Sequence, residues 1–71
     1  MKVYLFLAEG FEEIEAIAPI DIFRRAGIET ITVSITSDKI VTGAHGISVV
    51  ADALFESTDF SGEYLLFLPG G

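Results

Sequence analysis

The 71-residue chain has no cysteine and no tryptophan, a single histidine and only four basic residues. Without cysteine it has no disulfide framework, no thiolate metal site and no nucleophilic thiol of its own. One histidine, His45, does not build a histidine-rich metal site by itself. Four basic residues against eleven acidic ones leave a formal net charge of −7. That balance repels polyanions and lacks the basic stripe that nucleic-acid binding needs. No apolar run is long enough to span a bilayer, and "VYLFLAEG" follows only Lys2 and soon meets acids. The chain therefore reads as soluble and cytoplasmic, with neither nucleic acid nor membrane as partner. Internal repeats, low-complexity tracts and linkers are also missing, so residues 1–71 amount to one small domain at most.

Apolar residues, by contrast, are plentiful. They make up 51 % of the chain, with a mean hydropathy of +0.58. A small free-standing domain exposes proportionally more surface and needs more polar cover than this. Some other polypeptide is expected to cover part of it.

The apolar residues alternate between strand and helix patterns. "KVYLFL", residues 2–7, is the continuous β-branched and aromatic run of a strand buried on both faces. A turn at Ala8, Glu9 and Gly10 precedes a helix from about Glu12 to Ala26, with Arg24 and Arg25 in its last turn and Gly27 in the capping position. "IETITVSI", residues 28–35, is a second strand, and the βαβ connection makes it parallel to the first. "IVTGAHGISVV" carries Gly43 and Gly46 between two short strands, the pattern of an antiparallel flap. "ADALFESTDFSGE" reads as loop with one helical turn, and "YLLFL", residues 64–68, as a further buried strand before Pro69, Gly70 and Gly71. Three central-type strands and one long helix leave a parallel sheet with an uncovered face. The class is α/β with a mostly parallel sheet, and the chain reads as the N-terminal half of a larger domain.

One residue conflicts with this pattern. At about 100° per residue, Ala16, Ala18, Pro19, Ile20, Ile22, Phe23 and Ala26 sweep one broad apolar arc of the helix. Glu15 falls inside it. Glu12 and Glu13 are explained by the helix dipole, which favours acids in a first turn. Pro19 removes the hydrogen-bond partner of the Glu15 carbonyl, which would leave the backbone irregular there. It could equally open a separate helix after a short first turn.

Three blocks, "FLAEGFEEIEAIAPIDIFRRAGIE", "VTGAHGISVVAD" and "LLFLPGG", resemble in order and spacing the start of the ThiJ/PfpI family, the DJ-one-like proteins. The resemblance runs along the whole chain. It implies a flavodoxin-like three-layer sandwich, a homodimer, and a reactive cysteine in the C-terminal half that this chain lacks. It also implies action on small aldehydes such as glyoxals or on their protein adducts, or amidase or protease-like hydrolysis, without metal or organic cofactor. A non-enzymatic oxidation-sensing or chaperone-like protein of the same fold is the alternative.

Under this resemblance Glu15 is the carboxyl group that touches the cysteine. Buried beside a thiolate, it would stay protonated, donate a hydrogen bond to sulfur and pass protons during the chemistry. Gly70 and Gly71 would supply oxyanion-binding amides, at the carboxyl end of a strand where α/β crevices lie. Arg25 reads either as a solvated last-turn cation or as a residue reaching the pocket of a dimer partner. His45 reads as a turn residue near the dimer interface, with no catalytic role assigned. A phosphate-binding loop is disfavoured, because Glu9, Glu12 and Glu13 surround the lone Gly10.

Overall fold

The computed structural model describes residues 1–71. Strand β1, Lys2–Leu7, leads to helix α1, Glu13–Arg25, and returns in strand β2, Glu29–Ser34. A two-stranded antiparallel hairpin follows, β3 (Ile40–Thr42) and β4 (Ser48–Val50), then the short β5 (Ala53–Leu54), a single 3-10 turn at Phe55–Ser57, and β6 (Tyr64–Phe67). The main sheet has the order β5-β2-β1-β6 and every pairing in it is parallel. This is the expected α/β class with a mostly parallel sheet, and no helix is long and apolar enough to cross a membrane.

Alternation along β1 supplies both sheet faces. Leu5 and Leu7 point towards α1 and join Phe11, Ala16, Val41 and Ala51 in one buried cluster, against which Ile20, Val49 and Phe67 pack. Tyr4 and Phe6 point to the opposite face. There Phe60 stacks edge-on to Tyr4 at 4.8 Å and Phe55 edge-on to Phe6 at 5.7 Å. The face expected to be bare therefore carries an aromatic lid from residues 55–60, built by the expected loop and its one helical turn, here a 3-10 turn at Phe55–Ser57.

Strand β6 departs from the expected burial. Leu65 and Leu66 are more than half exposed, because β6 pairs only with β1 and forms an edge of this sheet. The apolar run "YLLFL" was read as buried on both faces. In this chain neither face of β6 is fully covered, and its outer hydrogen-bonding edge is open.

Helix α1 is continuous through Pro19, so the proline does not begin a new helix. The helix meets the sheet through Ala16, Ile20 and Phe23. Only one flank of the broad apolar arc is used; Ile22 is 61 % exposed, and Ala18 and Ala26 are exposed with it. At its C-terminus Gly27 takes a φ of +78°, the left-handed cap conformation glycine adopts without a Cβ penalty. Arg24 ties the helix to the sheet, donating to the Thr30 carbonyl and to Asp52 Oδ2, which also accepts from the Thr32 amide.

Candidate active site

The carboxyl ends of β1, β2 and β6 lie side by side in a parallel sheet, and a crevice of about 300 Å³ opens there. Ala8 and Gly10 follow β1, Ile35 follows β2, and Pro69, Gly70 and Gly71 follow β6; all of them line it. The topology thus brings together the two segments, "AEG" and "PGG", that are some sixty residues apart in sequence.

Backbone hydrogen bonds hold these loops against each other. The Glu12 amide donates to the Gly70 carbonyl at 2.7 Å, and Gly10 donates to Thr42 of the hairpin at 2.8 Å. Gly71 lies so close to the first loop that a Cβ on it would stand 2.7 Å from the Gly10 carbonyl oxygen. The close approach explains why glycine is needed at that position.

Glu15 belongs to this arrangement, but not as a buried group. Its side chain is exposed in this chain, and its Oε1 accepts the Gly70 amide at 2.9 Å. The apolar arc is wider than the face α1 buries, and Glu15 lies beside that face, next to the segment that follows β6. The contact with Gly70 occupies Oε1 and leaves Oε2 free for another partner. It also occupies the Gly70 N–H, one of the two amides assigned to an oxyanion. Gly71 lines the crevice and its amide has no main-chain or side-chain acceptor.

The buried carboxylate of the helix start is Glu13, at 6 % exposure. Sequence reasoning passed over it as an ordinary first-turn acid. A signal was present: Glu13, Ala16, Ile20 and Phe23 are spaced i, i+3, i+7, i+10, the stripe that faces the sheet. Its Oε2 accepts the main-chain amides of His45 at 2.7 Å and Ile47 at 3.3 Å, and its Oε1 lies 2.9 Å from His45 Nδ1. Burial is the largest influence on this carboxyl and pushes its pKa up. The hydrogen bonds from the His45 ring, its own main-chain amide and the amides of His45 and Ile47 together outweigh that push and bring it to about 2. Glu12, Glu13 and His45 place one donor atom each within 4.8 Å of one another. Both oxygens of Glu13 already accept hydrogen bonds, so the group is an ion pair and not an open set of metal ligands.

Gly43 completes the Glu13 pocket. A Cβ there would lie 2.5 Å from Glu13 Cδ, and the carboxylate cannot swing aside without breaking its bonds to the hairpin. Gly43→Ala should destabilise the fold by about 1–3 kcal/mol, the usual cost of overpacking. A lowered thermal midpoint of Gly43→Ala in the complete domain checks this.

The remaining sequence-predicted residues lie outside the crevice. Arg25 donates from Nε to Asp21 Oδ2 at 2.9 Å, an exposed i,i+4 pair, and has no other side-chain partner. His45 sits in the hairpin turn, its side chain 72 % exposed and its ring on Glu13.

These features define an α/β protein with a crevice at the carboxyl ends of parallel strands, bordered by a helix-borne carboxylate and a Gly-Gly pair. The chain belongs to the DJ-1/PfpI family, whose model matches residues 1–71. A deglycase from Thermococcus kodakarensis is 39 % identical over 71 residues, which cover all of this chain and 42 % of the relative. YraA of Bacillus subtilis, whose name assigns it provisionally to the cysteine proteases, is 31 % identical over 99 % of the chain and 41 % of its own length. Oxidized DJ-1 of Toxoplasma gondii superimposes with a TM-score of 0.93 at 37 % identity, covering 99 % of this chain and 38 % of that one. The chain thus spans about two fifths of the length of these relatives.

Proposed function

We propose that residues 1–71 are the N-terminal portion of a single DJ-1/PfpI-type α/β domain whose complete form is a cysteine-dependent enzyme. Its substrates are small aldehydes such as glyoxals, or their protein adducts, with amidase or protease-like hydrolysis as the related activity. The nucleophilic cysteine comes from the remainder of the domain. The observation that carries this reading is the Glu15 carboxylate seated on the Gly70 amide at the rim of the crevice. A thiolate placed there would attack the aldehyde carbon, Glu15 would move the proton through its free Oε2, and the Gly71 amide would stabilise the developing oxyanion. No metal or organic cofactor is needed for these steps. The complete protein is proposed to be a cytoplasmic homodimer in which the exposed Arg25 is available to a partner's pocket.

The names of the relatives, one a deglycase and one provisionally a protease, favour this class. Methylglyoxal turnover by the complete protein tests it, and complete inertness together with oxidation of the cysteine to sulfinic acid would favour the sensing or chaperone-like alternative. The 71-residue chain by itself should be inert towards methylglyoxal and activated esters, because it has no cysteine. Steady turnover that follows the purified chain through successive columns would overturn the cysteine mechanism.

A further inference from the structure

The β3–β4 hairpin is joined to the start of α1 and its preceding loop by a short series of contacts, half of them to one side chain. Glu13 receives the His45 and Ile47 amides and the His45 ring. Three further bonds complete the junction: Gly10 N–H to the Thr42 carbonyl at 2.8 Å, Ala44 N–H to the Phe11 carbonyl at 2.8 Å, and Thr42 N–H to Glu9 Oε2 at 3.1 Å. The same loop ends at Glu12, whose amide donates to the Gly70 carbonyl. Hairpin, loop and Gly70 are therefore one continuous hydrogen-bonded assembly at the crevice.

We propose that Glu13 and His45 form a pH-dependent latch, in which Glu13 is a positioning residue that fastens the hairpin to the loop framing the crevice and His45 is its titrating partner. The consequence for chemistry rests on the reading of the Glu15–Gly70 crevice as the reactive site; the latch itself does not.

The charges around the imidazole all have one sign. Glu13 is in contact, Glu12 Oε1 stands 3.7 Å from Nδ1, and Glu9 holds the other shoulder of the hairpin through Thr42. Between residues 40 and 50 the hairpin has no other ionisable side chain, so no cation competes for Glu13. The hydrogen bond to Glu13, then the charges of Glu13 and Glu12, hold the His45 pKa above the ordinary value of 6.5, against a smaller opposing effect of burial.

The two partners set opposite limits. A raised histidine contributes fully below its unfolded value of 6.5, and its contribution is lost as pH rises through the folded value. A depressed carboxyl contributes above its unfolded value of 4.5 and its contribution is lost as pH falls towards about 2. The latch is closed between about pH 4.5 and 6.5, weakens above that as the imidazolium loses its proton, and weakens again below it as Glu13 gains one.

Selective ¹³C-histidine labelling of the complete domain, with the His45 signal assigned by its loss in His45→Gln, gives the imidazole titration in the folded protein. Hydrogen–deuterium exchange of the hairpin peptide, corrected for intrinsic rates, is followed over the same pH range. The wild-type midpoint should lie above 6.5, and Glu13→Gln should bring it down. Hairpin protection should fall several-fold between pH 6 and pH 8.5 in the wild type. His45→Gln keeps a donor without a titrating ring, so its protection should be flat across that range. A wild-type midpoint at or below 6.5, or the same pH dependence in His45→Gln, overturns the latch. Because no reading passes through turnover, failure here is distinct from failure of the proposed activity.

Discussion

Replacing Glu15 by alanine in the complete domain should lower methylglyoxal turnover by about 100-fold or more, the low end of what a positioned general acid–base contributes. The alanine variant loses both functions of the carboxylate. Oε1 no longer holds the Gly70 amide, and the proton-moving carboxyl beside Gly70 is lost; Glu9, which lines the crevice, is engaged by the Thr42 amide. Glu15→Gln separates the two. Its amide oxygen can still accept from Gly70, so the rim stays in place, but it cannot exchange a proton. Turnover should therefore fall in both variants, whereas only alanine should disturb the loop after β6. The cysteine thiolate absorbance followed against pH adds a second readout: a protonated Glu15 that donates to sulfur, the role the family resemblance implies, holds the thiol pKa down, and its loss in the alanine variant raises it. Wild-type turnover in both variants would return Glu15 to an ordinary acidic first turn with a local hydrogen bond.

The second large effect concerns the chain in isolation, which should not sediment as a compact monomer with cooperative unfolding. Ile14, Ile22, Val50, Leu65, Leu66 and Leu68 are all more than half exposed, and they cover the outer flank of α1, the hairpin and the edge strand β6. Burying four such side chains would contribute on the order of 10 kcal/mol. That is comparable to the entire stability of a typical domain. The open edge of β6 adds unpaired backbone groups that favour addition of another strand. Association of the isolated chain, and its disappearance when the remainder of the domain is supplied, should be visible by analytical ultracentrifugation. A monodisperse monomer with a single sharp thermal transition would show that this surface needs no cover.

Where strands and helix fall was legible in the residues because each element carries its own period. "KVYLFL" and "IETITVSI" read as strands, and the Arg24, Arg25 and Gly27 series marked the end of α1, because these are local signals of composition, charge and backbone freedom. The parallel β1–β2 pairing followed from the crossover alone. The juxtaposition of Glu15 with Gly70 and Gly71 follows from parallel strand order; what period alone does not show is which part of an apolar face is covered. Glu15 was placed in the dry arc because the sequence shows how wide an apolar face is, not which part of it meets the sheet. β6 was read as central because an apolar run looks the same whether or not a neighbour pairs with its far edge. The aromatic lid of Phe55 and Phe60 has no period at all and exists only because Tyr4 and Phe6 face that side.

The chain's composition alone determined that any thiol chemistry must come from outside it, and its local patterns determined an α/β unit with a glycine pair at the end of a strand. Only the tertiary structure decided which glutamate is buried. Glu13 and His45 are 32 positions apart, and the carboxylate is held by amides of a hairpin whose docking no local pattern encodes. Likewise Glu15 and Gly70, 55 positions apart, meet because parallel order places the ends of β1 and β6 together. Periodicity along a chain reports how one element would bury itself; which side chains share a site depends on contacts between elements, and those are set by packing.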